Sequence, residues 1–339
     1  CQNFMIKTDI IIIGAGPCGL FTVFEAGLLK MHCHFIDALP IPGGQCAEIY
    51  PKKPIYDIPA YPEILAEDLI KNLLKQIEPF KPGYTLGERA ETVSKTDDNK
   101  FIVTTNKGTQ HIAPVIVIAG GLGCFEPRKP KLENLSSLEG KGVEYIIKDP
   151  TIYHGKKIVI SGGGDSALDW AIYFAKNAKE VTLVHRRNTF RGHLDSVEKI
   201  NELAKFGKIN LMTQSEVIKI EGKDNLNSVS VKSIDDNIFN LKTDYWFPLF
   251  GLTPKLGPIS QWGLNLEKNA ILVNTTDYST NIKGIYAVGD VNTYPGKLKL
   301  ILCGFHEAAI MAQSAFNIVF PDQKKIFKYT TVMGGVKGF

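Results

Sequence analysis

The sequence predicts an α/β fold with two Rossmann-like three-layer domains, the first of them split by insertion of the second. Two strand–turn–helix units predict this fold, because glycine-rich turns follow apolar strands at 9–13 and 157–161. A third strand, within 284–291, ends in Gly-Asp and returns to the first domain late in the chain. We therefore expect a domain formed by 1–121 and 249–339, and an inserted domain at 122–248.

Length and composition agree with this architecture. The chain has 339 residues, enough for two cores, with 44% hydrophobic and 22% charged residues. The net charge of +4 is too weak and dispersed to indicate nucleic acid, although it permits an acidic partner. No apolar run approaches the length of a membrane span, and the short run at 9–13 does not match a signal peptide. We expect neither nucleic acid nor membrane as a partner.

The six cysteines are scattered along the chain, and none lies in a Cys-x-x-Cys pair. Without a secretion signal, such a distribution is typical of free thiols in a reducing cytoplasm. The sequence therefore predicts a cytoplasmic protein. No metal site is predicted.

The first glycine turn has the spacing of a dinucleotide-binding site. Gly14, Gly16 and Gly19 follow the strand at 9–13, and a helix predicted over 17–30 begins at Pro17. The helix N-terminus can then hold a pyrophosphate against the backbone. Asp37 ends the next strand, 23 residues after Gly14, where a carboxylate can accept hydrogen bonds from an adenosine ribose. The alternative is a glycine-rich turn in an ordinary βαβ unit.

The second glycine turn repeats this unit with a different final residue. Gly162, Gly164 and Ala167 fill the three turn positions before a helix predicted over 165–177. The residues expected to contact a dinucleotide here are Gly163, Gly164, Asp165 and Ser166. His185 stands 23 residues after Gly162, where the first unit has an acid.

A basic cluster surrounds this position and consists of His185, Arg186, Arg187 and Arg191. A carboxylate suits a ribose 2′-hydroxyl, whereas guanidinium groups bind a 2′-phosphate in bidentate fashion. The cluster therefore predicts a preference for NADP(H), and a solvated basic surface is the alternative. Two dinucleotide sites in one chain predict two dinucleotides, FAD in the first and NADPH in the second.

Two further segments are candidates for the flavin pocket. Asp290 follows the strand within 284–291 and can accept from a ribityl chain, near a helix predicted around 304–318. The segment 42–59 is rich in Gly and Pro, so we expect an irregular functional loop. It contributes Gly44, with Gln45 at the flavin edge and Tyr50 or Tyr56 as stacking candidates. Each of these side chains is equally explained by packing.

Motifs along nearly the whole chain resemble known flavoenzymes. "GAGPCGL", "GGQ", "GGGDSA", "HRRNTFR" and "AVGDV" occur in the order found in low-molecular-weight thioredoxin reductases. "YPKKPIYDIPAYP", "FEPRKPKLENL", "WGLNLEKNAI" and "GDVNTYPGKLKLILCGFHEA" resemble the thioredoxin-reductase-like ferredoxin–NADP⁺ reductases. The resemblance implies FAD, a homodimer, and one-electron exchange with ferredoxin or flavodoxin. By position, it implies flavin contacts from Asp37, Gln45, Tyr50, Ala90, Phe125, Asp290 and Thr331, with Tyr329 stacking from a C-terminal extension.

Cysteine positions separate this family from its disulfide-reducing relatives. The paired cysteines of thioredoxin reductases would fall near Ile146 and Asp149, and Cys46 would need a partner at Pro51 to match glutathione-reductase-type enzymes. Neither pair exists, so we expect electrons to pass from flavin directly to an acceptor, with no side chain acting as general acid or base. We leave open an NADPH-dependent reductase of other acceptors, including disulfides reduced through an external thiol, and a non-catalytic NADP(H)-sensing flavoprotein. Lysines that could face an acidic ferredoxin are Lys52, Lys53, Lys297 and Lys299.

Overall fold

The computed structural model describes residues 5–120, 124–324 and 330, with the backbone alone for 124–126 and 252–254. The chain divides into two compact units, one formed by Cys1–Cys124 with Pro254–Phe339 and the other by Phe125–Thr253. The segments Cys124–Pro127 and Leu252–Lys255 form a two-stranded sheet.

The first unit is built on a five-stranded parallel sheet. Its strands lie in the order Ile285–Ala287, Val115–Ile118, Ile10–Ile13, Cys33–Asp37 and Gly83–Leu86. The run Ile10–Ile13 is buried on both faces, and its side chains alternate between two cores. Each fully buried isoleucine contributes about 1.5–3 kcal/mol of hydrophobic free energy, so this strand anchors the unit.

Two layers cover this sheet. Helices Pro17–Leu28, Ala66–Ile77 and Ile301–Val319 pack against Ile10 and Ile12. The opposite face, with Ile11 and Ile13, packs against a four-stranded sheet. That second sheet contains, in spatial order, Ile6–Lys7, Gln110–Ala113, Phe101–Thr105 and Ala90–Lys95.

Short elements complete the first unit. Along the sequence, the strand Cys33–Asp37 is followed by a helix at Gly44–Glu48 and by a strand pair, Pro54–Ile55 with Ile64–Leu65, before the helix Ala66–Ile77 begins. The strands Leu266–Glu267, Ala270–Leu272 and Asn292–Thr293 form a small sheet. Single 3₁₀ turns occur at Glu78–Phe80, Gly257–Gln261 and Gly289–Val291.

The second unit repeats the layered plan on a smaller scale. Four parallel strands lie in the order Asn210–Thr213, Glu180–His185, Lys157–Ser161 and Tyr245–Pro248. Helices Asp165–Asn177 and Leu194–Lys205 belong to one layer, and a sheet of Ser215–Gly222, Leu226–Ser233 and Ile238–Lys242 belongs to the other. A short helix at Leu135–Leu138 and a 3₁₀ turn at Pro150–Tyr153 precede the parallel sheet.

The predicted α/β class is therefore confirmed, and the two glycine turns follow the middle strands Ile10–Ile13 and Lys157–Ser161. One local expectation was wrong, and the start of one predicted helix differs slightly. The segment 42–59 is not wholly irregular, because Gln45, Ala47 and Glu48 follow two glycines of positive φ, Gly43 and Gly44, and the helix Gly44–Glu48 forms there. The helix expected around 304–318 begins three residues earlier, at Ile301.

Candidate functional site

The first glycine turn brings backbone segments closer together than side chains would permit. Gly14 has a φ of +103°, and a Cβ atom there would lie 2.6 Å from the Cα of Gly120. A Cβ atom on Gly19 would lie 2.1 Å from the carbonyl oxygen of Gly14. These two glycines are therefore required by the turn itself and by helix–strand packing.

Gly16 differs from its neighbours because it borders open space. It precedes helix Pro17–Leu28 with extended backbone, no side chain caps this helix end, and an added Cβ would meet only the Cα of Gly44, at 3.9 Å. The N–H of Gly43 donates to the carbonyl of Ala15 at 2.8 Å, which ties the "GGQ" segment to the turn. The uncapped N–H groups and the space above Gly16 fit a dinucleotide pyrophosphate.

Asp37, the last residue of the strand Cys33–Asp37, is hydrogen-bonded to the first glycine turn. One carboxylate oxygen accepts the N–H of Ala15 at 2.7 Å, and the other accepts the N–H of Leu39 at 2.8 Å. Burial raises the pKa of Asp37, and the two backbone N–H groups oppose that rise. Each oxygen keeps a further lone pair, so the geometry fits the predicted ribose contact while also fixing the turn.

Several predicted flavin contacts come together near Asp290. Gly289 packs against Cys18 of the first helix, since a Cβ on Gly289 would lie 3.0 Å from its sulfur. The charge of Asp290 also contributes to raising the pKa of Cys46 and of Tyr50, after burial, which places all three groups in one region. Burial raises the pKa of Asp290 itself, and the charges of Lys297 and Lys299 oppose this rise.

The remaining predicted flavin contacts have different surroundings. The hydroxyl of Tyr50 lies 3.5 Å from the Oε1 of Gln45. Ala90 is buried at the start of strand Ala90–Lys95, in the core on the other face of the parallel sheet. Tyr56 is 65% exposed. Phe125 has only its backbone described, and Tyr329 and Thr331 lie outside the described residues.

A buried carboxylate that was not predicted from the sequence lies next to Gly289, the residue before Asp290. Glu307, in the middle of helix Ile301–Val319, is fully buried and paired with Lys297. From the sequence, Lys297 was a candidate for contact with an acidic partner. The structure excludes it from such a surface, because its side chain is 6% exposed and paired with Glu307. An acidic residue flanked on a helix by Gly304, Ala308 and Met311, all buried, is the signal that could have identified it.

The second glycine turn has the same division between packed and open glycines. A Cβ on Gly163 would lie 2.1 Å from the ring of His185, whereas one on Gly164 would meet nothing within 4 Å. Gly164 precedes helix Asp165–Asn177, and no side chain caps that end. Asp165 and Ser166 are exposed at the first turn of the helix. This open, uncapped helix end also fits a pyrophosphate.

Backbone hydrogen bonds hold the basic cluster beside this turn. The N–H of Arg191 donates to the carbonyl of Gly163 at 2.7 Å, and the N–H of His193 donates to the carboxylate of Asp165 at 2.7 Å. The side chains of Arg186, Arg187 and Arg191 are exposed. Three guanidinium groups therefore stand on a loop that is fixed to the second turn, an arrangement suited to a phosphate.

His185 has a position unlike that of the arginines. It is 6% exposed, its Nε2 lies 3.0 Å from the carbonyl of Thr189, and its ring stacks on Phe190 at 4.9 Å. Burial first, and then the neighbouring arginines, lower its pKa. These contacts fit a neutral ring that supports the arginine loop from below.

None of the cysteines whose side chains the structure describes forms a disulfide. Cys18, Cys33, Cys46 and Cys303 are free. Cys46 is 2% exposed, and burial raises its pKa to about 12, so the reactive thiolate is scarce at neutral pH. At the positions expected for a dithiol, Asp149 instead caps a 3₁₀ turn by accepting the N–H of Thr151 at 3.1 Å.

Within residues 5–120, 124–324 and 330, no group of three or more His, Cys, Asp or Glu side chains is arranged to hold a metal ion. None of the helices in those ranges combines the length and apolar character needed to cross a membrane.

Comparisons with known proteins agree with this geometry. The sequence model of the family described as "Pyridine nucleotide-disulphide oxidoreductase" matches residues 8–309. The chain is 67% identical over 339 residues to ferredoxin–NADP reductase 2 of Christiangramia forsetii, covering 99% of this chain and 95% of that protein. It is 63% identical over 336 residues to the ferredoxin–NADP reductase of Flavobacterium johnsoniae, with coverage of 99% and 95%. Among solved structures, thioredoxin reductase of Lactococcus lactis matches with a TM-score of 0.79 and 26% identity, over 93% of this chain and all of that one.

Proposed function

Since the chain belongs to the pyridine nucleotide-disulphide oxidoreductase family, we propose that it is a ferredoxin–NADP⁺ reductase that uses FAD. One observation carries this proposal. Two uncapped helix ends, at Gly16 and Gly164, border open space that fits a phosphate, yet the sequence has no Cys-x-x-Cys pair to carry electrons to a disulfide. The high identity to curated ferredoxin–NADP reductases over nearly their full length supports the same activity.

The first unit has the groups that FAD requires. The backbone around Gly16 would hold the pyrophosphate, Asp37 the adenosine ribose, and Asp290 the polar chain that leads to the flavin ring. Gln45 and Tyr50 lie in the same region as Asp290 and would border the ring. Bound FAD would supply the exchange between the two-electron chemistry of NADP(H) and the one-electron chemistry of an iron–sulfur acceptor.

The second unit would bind NADP(H) and select it over NAD(H). The open helix end at Gly164 would take the pyrophosphate, and the exposed arginines would take the 2′-phosphate. His185 and the backbone bond from Arg191 to Gly163 would keep the arginine loop in place before the nucleotide arrives. This pre-organisation reduces the conformational entropy lost on binding.

Ferredoxin is the acceptor that we propose, and flavodoxin is a second acceptor of similar charge. The net charge of +4 favours association with an acidic protein. Lys52, Lys53 and Lys299 remain candidates for contact with an acidic ferredoxin. Lys297 is no longer one of them, because it is buried. We also propose that the protein is a homodimer, as the family resemblance implies, and that it is cytoplasmic, as its scattered cysteines indicate.

Two other activities are less compatible with the site. Reduction of disulfides through a thiol of this chain needs a reactive cysteine, and the buried Cys46 is a poor candidate. A sensor without turnover would bind both nucleotides but reduce its flavin only once. Reduction of other soluble acceptors is compatible with the same site, and turnover of cytochrome c that does not depend on ferredoxin or flavodoxin would favour it.

The test is steady-state reduction of cytochrome c through ferredoxin, with NADPH and then NADH as donor. We expect sustained turnover with NADPH, dependence on ferredoxin or flavodoxin concentration, and no loss of rate after alkylation of thiols. A single stoichiometric reduction of flavin without turnover would favour the sensor. Loss of activity on alkylation would favour thiol chemistry, and either result would overturn the proposal.

A further inference from the structure

A buried ion pair between Lys297 and Glu307 lies next to Gly289 in the first unit. Glu307 is 0% exposed in the middle of helix Ile301–Val319, and the side chain of Lys297 is 6% exposed. The Nζ atom of Lys297 donates to the Oε1 atom of Glu307. Charges so deeply buried lose their hydration, so such a pair is stable only where further hydrogen bonds compensate both partners.

Both members of the pair hold the backbone of Gly289. The Oε2 atom of Glu307 accepts the N–H of Gly289 at 2.7 Å, and the Nζ of Lys297 donates to the carbonyl of Gly289 at 2.9 Å. These groups belong to the two peptide bonds that flank Gly289. The ion pair therefore fixes both peptide planes at a residue whose φ of +79° favours glycine.

Two more side chains complete the network. The Nδ2 atom of Asn292 donates to Oε2 of Glu307 and to the carbonyl of Ala287, both at 2.8 Å. The hydroxyl of Tyr294 donates to Oε1 of Glu307 at 2.9 Å. Since the carboxylate accepts from four different residues between 289 and 297, one helix residue organises this whole segment. Both oxygens of the carboxylate are paired, whereas the Oδ1 atom of Asn292 has no hydrogen-bond partner among the described residues. Buried hydrogen-bond networks of this kind favour one conformation.

We propose that Lys297 and Glu307 are positioning residues, which hold the turn at Gly289 so that Asp290 presents its carboxylate to the polar chain of bound FAD. This inference rests on the proposed function. Asp290 follows Gly289 directly, so rotation of the peptide between them would change the direction of the Asp290 side chain. The hydrogen bonds of this network involve Glu307 and the segment from Ala287 to Lys297. Among the described residues, none of them joins the first glycine turn or Asp37, although Gly289 packs against Cys18 of the first helix.

Because these hydrogen bonds do not reach the first glycine turn, changes to the ion pair should affect the two halves of bound FAD differently. The adenine half of FAD would be held by the first turn and Asp37, whereas the flavin half needs Asp290. Disturbing the ion pair should weaken binding of FAD and leave binding of ADP, which shares only the adenine half, nearly unchanged. Simple destabilisation of the unit would weaken both ligands together.

The experiment measures the dissociation constants of FAD and of ADP for the full-length chain after removal of its flavin. Variants Lys297→Met and Glu307→Gln each remove one part of the clamp on Gly289. Lys283→Met is the matched control, because it removes an exposed positive charge from the same unit and has no bond to Gly289 in the described contacts. We expect the dissociation constant of FAD to rise about tenfold or more in the two clamp variants, as for loss of a charge-assisted hydrogen bond. The constant for ADP, and both constants of the control, should change less than about twofold.

Equal losses for FAD and ADP, or unchanged FAD affinity in the clamp variants, would overturn the inference. If a single variant fails to fold, the double variant Lys297→Met with Glu307→Met removes both charges and leaves no unpaired one; it should show the same selective loss of FAD. A wild-type chain that binds ADP but no FAD would overturn the proposed function itself. The two failures are therefore distinguishable.

Discussion

The backbone N–H of Arg191 donates a 2.7 Å hydrogen bond to the carbonyl oxygen of Gly163, so the arginine loop and the second glycine turn form one unit. A dinucleotide whose pyrophosphate lies on the turn would bring its adenosine ribose toward that loop. The bond thus couples general nucleotide binding to selection of the 2′-phosphate.

Replacing Arg187 with alanine should therefore change nucleotide preference. We expect the KM for NADPH to rise about tenfold to a hundredfold, because one charge-assisted hydrogen bond is worth about 1.5–3 kcal/mol. The KM for NADH should change little, since NADH has no 2′-phosphate. Steady-state kinetics with both donors measure this, and Lys208→Ala, an exposed lysine of the same unit, is the control. Equal increases for both donors would contradict the role of Arg187.

The two adjacent glycines of the second turn should respond differently to alanine. Gly164→Ala places a methyl group in open space, so stability should fall by no more than about 1 kcal/mol, the usual cost of alanine at a helix N-cap. The methyl group would occupy the space proposed for the pyrophosphate, and NADPH affinity should fall about tenfold or more. Gly163→Ala should instead destabilise the unit, because its Cβ would lie 2.1 Å from the ring of His185.

Thermal unfolding together with NADPH titration separates these two effects. A Gly164→Ala variant that binds NADPH as the wild type does would show that the pyrophosphate lies elsewhere. A Gly163→Ala variant of unchanged stability would show that the loop around His185 can move away from the turn.

The regular elements could be predicted almost residue by residue where sequence neighbours determine them. The strand Lys157–Ser161 and the helix Asp165–Asn177 agree with the prediction at both ends. Their apolar runs and glycines act locally, through burial and through close approach of the backbone. The distinction between the packed Gly163 and the open Gly164 was not predictable, because it depends on where the ring of His185 lies.

Long-range polar contacts were the part that the sequence did not reveal. Lysine is usually a surface residue, so the sequence suggested that Lys297 is exposed. It is buried because it pairs with Glu307 on the helix Ile301–Val319. His185 likewise belongs to a basic cluster in the sequence, yet packing against Phe190 and Gly163 separates it from the arginines. Local patterns give residue type and spacing, whereas such partners are fixed only when distant segments pack.

Two histidines of the first unit should make its stability depend on pH. Thr85 connects them, with its hydroxyl 2.8 Å from the Nε2 atoms of both His34 and His111. Burial, with a smaller contribution from His111, lowers the pKa of His34 from 6.5 to about 4, and burial also lowers that of His111. Between pH 6.5 and 4 the unfolded chain therefore binds more protons at His34 than the folded chain. Stability from this group is present above pH 6.5 and is lost as the pH falls.

Urea unfolding at pH 7.5 and pH 5.0 tests this dependence. The decrease in the free energy of unfolding between these conditions should be smaller in His34→Gln than in the wild type, by about 1–2 kcal/mol. Comparing the two proteins cancels the opposite contribution of Asp37 and Asp290, whose raised pKa values favour the folded state at lower pH. His32→Gln, at an exposed position two residues earlier, is the control and should retain the wild-type decrease. An identical decrease in His34→Gln would rule out a contribution from this pair.

Cys46 should be dispensable for electron transfer, although it lies beside the proposed flavin site. Its thiol is buried and its pKa is raised to about 12, so it is neither accessible nor ionised at neutral pH. Cys46→Ala should keep ferredoxin-dependent turnover within about twofold of the wild type, since no bond to this sulfur would form or break during the reaction. Flavin content must be measured in parallel, because loss of packing near Tyr50 could lower the amount of bound FAD. A decrease of more than about tenfold in turnover per bound flavin would indicate a thiol relay, and would return the protein to the chemistry of its disulfide-reducing relatives.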